Sequence, residues 1–489
     1  MIRRSPRAPR LPSFRNGAAP AVAGLAIVLL AYEILGFAAV HSLLADFHAF
    51  WCAGSALAHG ADPYRAAALS ACERAPAPWG LYSAPTGVVV PAPLPPYALA
   101  AFAPLAYLPY SLAACLWFAA IAGALCACVV LLARVLRIGA LPAAWMLLLP
   151  ATVLWLPFGE ATPFALLGAL LAAYAAQRER WSLCALGLAL LAVEPHLALG
   201  AWACVALFAA RARAPLAIAG AALLGIALAA GPGLFIEYLR AVLPLHALAE
   251  VPRPAQYSAT WLLDALGVSP GSALQAGAAT YAASLIASVI VAVRLQRRWN
   301  DRCALVFTPL AAAVIGGTFV HASQIALALP FAAALATREG GRTAALAAAA
   351  CGVLAVPWLQ GDPQQTIVLA GIGVCAAVVF LLAKNAAPAL RVLTASAVLA
   401  AVLVMAHRSA APLGREPRTF PVAASPGELA SASWGRYIWR EQSSVTFADW
   451  LGKAPSWLAL LVLAGLAAGA ASNKEPVIAL RVHEAPASP

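Results

Sequence analysis

The sequence predicts an all-α polytopic membrane protein of about 12–14 membrane helices, with its chemistry carried by loops on one face. Three observations predict it. Of the 489 residues, 63% are hydrophobic and only 10% are charged, whereas a soluble chain carries roughly a quarter charged residues. The apolar residues fall in runs long enough to cross a hydrocarbon core of ~30 Å, which takes about 20 helical residues. The runs are continuous and rich in Ala and Leu, unlike the polar–apolar alternation of a membrane β-barrel. A backbone inside lipid must satisfy its own hydrogen bonds, so continuous runs become helices.

The first predicted span covers residues 18–44, after a basic start with Arg3, Arg4, Arg7, Arg10 and Arg15 over residues 1–17. It is too long for the apolar stretch of a cleavable signal and reads as a signal anchor. A loop over residues 45–96 follows; Pro91–Pro96 blocks helix until Pro96, which can serve as a first helical residue. Residues 97–108 are apolar but short and interrupted by Pro104, which predicts a helix lying on the membrane surface. Spans over 111–133, 140–157 and 163–176 come next, with Glu160 in the turn from Pro157 to Pro163. Residues 181–210 are bounded by Arg180 at one end and by Arg211 and Arg213 at the other. Two short helices meeting at Glu194-Pro195-His196 keep both clusters on one side. A span over 214–231, a loop over 232–272 and spans over 274–294, 304–320, 323–337, 343–359, 364–383 and 388–406 follow. A polar segment over 407–455 bears Trp434, Trp439 and Trp450, which read as an interface belt or a sugar-stacking surface. The last span is 456–471 and the tail is 472–489.

The net charge of +12 sits in short clusters between apolar runs, which is the positive-inside pattern and argues against a nucleic-acid partner. The predicted topology puts both termini in the cytoplasm, with 21 of the 31 Lys and Arg inside and 10 outside, although the outside segments are longer. Of the acidic residues only Glu179, Asp301, Glu339, Glu475 and Glu484 lie inside, which points to chemistry on the outer, periplasmic face. The Ala-rich composition fits a GC-rich bacterial genome and the inner membrane. The sequence contains no Gly-rich phosphate loop and no internal repeat, and no inside loop is long enough to fold as a catalytic domain. The ten cysteines show no metal-ligand spacing, which leaves metal dependence open; most read as small apolar residues within spans. Cys52 and Cys72 share one external loop, where an oxidising compartment leaves a disulfide open to them.

The informative acid is Asp46, just after the first span, in Asp46-Phe-His48-Ala-Phe50-Trp51-Cys52-Ala53 and on to Gly60-Ala-Asp62-Pro63-Tyr64. A carboxylate at a membrane boundary costs several kcal/mol of desolvation unless it is partnered. It is therefore either a functional group or a solvated residue marking the end of a span.

The pattern D-F-x-x-[FY]-x-x-A followed by G-x-x-P-Y resembles the first external loop of glycosyltransferase family 87. These are GT-C-type membrane mannosyltransferases that use polyprenyl-phosphate mannose. Leu94-Pro95-Pro96, Pro104-Leu105 and Leu108-Pro109 resemble the family's Y-P-P-L stretch and the helix after it. Gly159-Glu160-Ala161-Thr162 stands where the family has G-Q-x-N, and Glu194-Pro195 where it has K-P. Gln256-Tyr257-Ser258, then Leu262-Leu263 and Leu266-Gly267, resembles its N-x-S segment and L-L-x-x-L-G. His321 follows a span as in its S-P-x-x-W-x-H region, so the resemblance covers residues 20–340. Glu160, Thr162 and Glu194 depart from it, and a carboxylate for an ammonium at position 194 reverses the local charge.

The resemblance implies a GT-C-like bundle over residues 18–406 and transfer of a hexose, mannose by analogy, to an envelope glycolipid or glycan. The donor is already energised and lies in the bilayer, so no further cofactor is required. A phosphate leaves readily as an anion, so the protein must supply a base for the acceptor hydroxyl and groups to hold the phosphate. Asp46 is the expected base of an inverting displacement. His321, Arg240 and Arg253 are expected phosphate partners, and Glu160, Glu194, His48 and Tyr64 further substrate contacts. His321 can equally cap a turn, Arg240 and Arg253 can be solvated loop cations, and Asp62 and Tyr64 can simply shape their loop. A polytopic transporter, or a polysaccharide polymerase or ligase of the envelope, would present many of the same features.

Overall fold

The structure is a computed structural model that describes residues 18–39, 42–77, 80–83, 88–358, 427–441 and 447–473. The described residues are 79% helical, and there are no strands among them. The predicted spans 364–383 and 388–406 lie outside the described residues, as do both termini and much of the 407–455 segment.

Five described helices are long and apolar enough to cross a membrane: Tyr110–Leu136, Ala140–Phe158, Ala210–Ala230, Pro270–Trp299 and Gly452–Ser472. Shorter apolar helices cover Thr162–Gln177, Trp181–Leu191, Pro195–Phe208, Ala304–Gly316 and Gly341–Leu354. The opening helix runs Ala18–Ala39 and stops short of the predicted 44, and Leu43 is already paired with Leu81. The long apolar helices leave large aliphatics uncovered: Ile27, Leu35, Ile218, Ile286 and Leu461 are each about two-thirds exposed. Stripes of large exposed aliphatics are costly against water and free against hydrocarbon.

The abundance of Ala and Gly has a geometric use. A Cβ on Gly168 would collide with the backbone of Leu191 and Gly187, and one on Gly187 with the backbone of Ala172. The helices Thr162–Gln177 and Trp181–Leu191 therefore cross with their backbones in contact, the close packing that small residues give helices in lipid. The expected pair of short helices over 181–210 is present as Trp181–Leu191 and Pro195–Phe208, joined through Glu194.

One end of the bundle is basic, and its acids are counter-ions. Asp301 accepts from Gln177 Nε2 at 3.0 Å, from the Cys303 backbone at 2.9 Å and from Arg338 Nε at 3.0 Å. Glu339 takes both nitrogens of the Arg298 fork at 2.9 Å and Trp299 Nε1 at 2.8 Å. Glu179 pairs with Arg302 at 2.6 Å.

The other end carries a layer of short helices: Ala45–Ala58, Ala66–Glu73, a run over 232–249, Ala259–Ala265 and Ala430–Glu441. The surface helix expected over 97–108 is instead two turns, Pro96–Leu99 and the 3₁₀ turn Ala103–Tyr107. Pro104 lacks the N–H a continuous helix needs. The Cys52–Cys72 disulfide forms, with Cα atoms 5.7 Å apart, and closes the first two of these helices onto each other. Asp62 shapes the loop as expected: its carboxylate accepts from the Tyr64 backbone at 2.9 Å and from Arg65 Nε at 2.8 Å.

Candidate functional site

The site is built where five chain segments meet at the layered end. Leu44, in the left-handed region at φ 61°, turns the chain into the helix Ala45–Ala58 and leaves Asp46 in its first turn. That position favours a negative side chain. The Leu44 N–H donates to the Pro157 carbonyl at 2.7 Å, which brings the 157–160 turn alongside. Gly159 in that turn has φ 73°, and a Cβ there would lie 2.8 Å from Phe47 Cβ. Its carbonyl accepts from Trp117 Nε1 at 2.8 Å. Glycine is thus required twice over, by conformation and by space, and its placement sets Glu160 next to Asp46. Gly159→Ala is expected to destabilise the protein by about 1–3 kcal/mol, read as a lower melting temperature in detergent.

Glu160 accepts from Thr162 Oγ1 at 2.9 Å and hydrogen-bonds Ser323. Glu194 enters from the helix junction and hydrogen-bonds Gln324. Gln324 Oε1 in turn accepts the backbone N–H of His321 at 3.0 Å, and the His321 carbonyl accepts the Gln324 N–H at 2.9 Å, so His321 stands as the cap residue of the turn Ala322–Ala328. The capping reading of His321 and its place in the site therefore hold together. The segment 320–322 is laced to 255–257: Tyr257 N–H to Val320 O at 2.7 Å, Ala322 N–H to Ala255 O at 2.9 Å, and Val320 N–H to Gln256 Oε1 at 3.0 Å.

Beside this lacing sits Glu250, fully buried. Both its oxygens accept from Arg253 Nη1, at 3.2 and 3.1 Å, and one also accepts from Trp434 Nε1. The Arg253 guanidinium lies 5.5 Å from the Trp434 ring centroid. The last helix, Phe447–Ser472, grips the same loop from behind: Lys453 Nζ donates to Pro254 O, and Trp457 Nε1 donates to Tyr257 O at 2.8 Å.

Asp46, Glu160, Glu194, Arg253 and His321 are all half-buried, whereas Glu250 and Gln324 are sealed beneath them. We call this group the cleft: its acids, cation and imidazole each keep some exposed surface, whereas Glu250 and Gln324 keep almost none. Burial raises Asp46 to about 6, with Arg253 pulling it down and Glu250 pushing it up. Burial and then the neighbouring Asp46 raise Glu160 to about 8. Glu194 is raised to about 7 by burial. Burial alone would raise Glu250 too, but Arg253 first, then His321, His246 and the Trp434 hydrogen bond hold it at about 2. Burial lowers His321 to about 3 and His246 to about 4. At neutral pH the cleft therefore holds one fixed cation tied to one fixed anion, an ionised Asp46, and two carboxyls that keep their protons for much of the time.

These shifts set a pH dependence of stability. Glu160, Glu194 and the buried Glu73, which burial raises to about 8, bind protons more tightly folded than unfolded. Their stabilisation is complete below the unfolded value and is lost as pH rises through the folded one. The depressed histidines act oppositely, but only below their unfolded value of about 6.5. The melting temperature should therefore fall between about pH 6.5 and 8.5, and Glu73→Gln should flatten the fall. A melting temperature that climbs over that interval contradicts the assignment.

Three expected site residues lie elsewhere. His48, two positions from Asp46, points to the other side of its helix, into a shell of Trp51, Tyr82 and Tyr110. Tyr64 is buried and donates its hydroxyl to Leu94 O at 2.8 Å, so it holds the loop and contacts no cleft. Arg240 is exposed on the outward side of the 232–249 run, while Tyr238, Val242 and His246 face inward. Trp434 and Trp439 are buried in packing against the layer, so they form neither a belt nor a sugar-stacking surface. Glu250 and Gln324, conversely, carry no expectation from the sequence. The Glu250–Arg253 spacing of three is the one signal that pairs two of these groups.

No family model, no curated protein and no solved structure matches this chain.

Proposed function

We propose that the protein is a membrane glycosyltransferase that moves a hexose, by resemblance mannose, from a polyprenyl phosphate to an envelope glycolipid or glycan. Transfer would occur on the outer face of a bacterial inner membrane. The observation that carries the reading is the meeting of Asp46 with Arg253 and His321 in a half-open cleft at one end of an apolar bundle. The acceptor hydroxyl gives its proton to Asp46 as its oxygen attacks the anomeric carbon. The bond from that carbon to the phosphate oxygen breaks with its electron pair, and the configuration inverts. The phosphate leaves as an anion beside the free nitrogens of Arg253, while His321, neutral, is available as a hydrogen-bond donor. Glu160 and Glu194 in their protonated forms can donate to phosphate or sugar oxygens, as a neutral buried acid does. That supplies donors where the resembling family has an amide and an ammonium.

A second reading has one observation in its favour. Carboxyls raised to about 6, 7 and 8 in one cleft suit a proton-coupled carrier. The test is reconstitution into vesicles with radiolabelled polyprenyl-phosphate mannose and cell-envelope lipids. Label moving to a new lipid or glycan supports transfer. Uptake of a solute driven by a pH gradient, with no label transferred, supports the carrier, and lengthening of a pre-existing glycan supports a polymerase.

A further inference from the structure

Among the described residues, one group of His, Cys, Asp and Glu side chains converges tightly enough to hold a metal ion, and it lies outside the cleft. It consists of His48, Cys52 and Cys72, whose ligand atoms all lie within 4.8 Å of one another. His48 and Cys52 are four residues apart on the helix Ala45–Ala58 and so share a face. Cys72 comes from the last turn of Ala66–Glu73, packed against it. The His48 side chain is 1% exposed and its Nδ1 is buried with no hydrogen-bond partner. Ring contacts fix the imidazole instead, with Tyr110 4.5 Å and Tyr82 5.8 Å away between centroids. A buried nitrogen without a partner is uncommon, because it costs free energy. Here the imidazole offers a ring nitrogen within 4.8 Å of both sulfurs, and Cys72 is only half-buried, which leaves a way in.

We propose that reduction of the Cys52–Cys72 disulfide opens a soft-metal site in which His48, Cys52 and Cys72 bind one zinc-class cation. Two electrons and two protons from a dithiol reductant break the S–S bond and give two thiols, and the reductant leaves as its own disulfide. The thiols lose their protons to solvent as the metal binds, because thiolate is the ligand form. Two thiolates and one imidazole leave a fourth tetrahedral position for water. Disulfide and metal use the same sulfurs, so the two states exclude each other.

The test uses the full chain in detergent, either oxidised or reduced with a phosphine that is then removed under anaerobic conditions. Each form is titrated with Co²⁺, read by thiolate-to-cobalt charge-transfer absorption, and with Zn²⁺, read by bound metal per chain. The reduced form is expected to take up one equivalent beyond the oxidised form and to show the charge-transfer band. Cys52→Ser/Cys72→Ser should abolish that increment and so account for the chain's other cysteines. His48→Ala should weaken binding at least about tenfold, since losing a ligand costs no less than losing the group that orients one. Equal uptake by the oxidised and reduced wild type overturns the site, and that comparison needs no variant to fold. Unchanged affinity in a folded His48→Ala variant removes the histidine from it.

Discussion

Asp46→Asn is expected to lower sugar transfer by about 10²–10⁴-fold, the usual contribution of a positioned base. Asparagine matches aspartate in size, so it fits the first turn of Ala45–Ala58, beside the chain that Leu44 ties to Pro157. It cannot take the acceptor proton. Its effect on stability runs the other way. Burial holds Asp46 at about 6, so ionising it in the fold costs free energy at neutral pH, and the neutral amide avoids that cost. The variant should therefore melt at or slightly above the parent temperature while transferring almost nothing. In the parent, transfer should rise with pH through about 6 as Asp46 loses its proton. It should fall again as Glu194 and Glu160 deprotonate through about 7 and 8 and cease to donate. Near-parental transfer by the asparagine variant would remove Asp46 from the reaction.

Arg253→Met should act on stability first. It strands Glu250, which has no exposed surface, with only the Trp434 indole and the nearby His321 and His246 left to balance its charge. Breaking a buried pair from one side costs about 3–5 kcal/mol, because the remaining charge has neither water nor partner. The double variant Glu250→Gln/Arg253→Met removes both charges and should recover most of the loss. Melting midpoints of the two singles and the double form the cycle that isolates the pair. Transfer should remain absent in the stabilised double variant, because the cleft then has no cation for the leaving phosphate. A single variant as stable as the parent would mean that Glu250 is reached by solvent or takes up a proton without penalty.

The parts of this fold that were legible from the sequence are those where charge or length leaves one solution. Arg180 and the Arg211–Arg213 pair forced two short helices over 181–210, and the helices are there. The 140–157 run is long enough for a span, and the helix there, Ala140–Phe158, is long and apolar enough to cross a membrane, despite a π-helical stretch over Pro150–Trp155 where Pro150 disturbs the ladder. In the site, Asp46, Glu160, Glu194, Arg253 and His321 converge although they come from distant segments, each at the end of an apolar run. His48 and Arg240 lie outside the cleft for one shared reason. Each lies two positions from an inward-facing residue on a helix, and residues two apart do not share a face. Glu250 could not be seen as a buried anchor, because its indole partner lies 184 residues further along. Its burial also depends on a helix that no local pattern connects to it.

The grip of the last helix on the Pro254–Tyr257 carbonyls has a consequence for how the protein is made. Asp46 leaves the ribosome early and Arg253 near the midpoint, yet the loop that aims Arg253 is pinned by Trp434, Lys453 and Trp457, all near the end. Contacts of such long sequence separation form late, after their loop-closure entropy has been met. Without those contacts Asp46 has no fixed cation opposite it. The loop that aims Arg253 is therefore fixed only once the helix Phe447–Ser472 has packed against it.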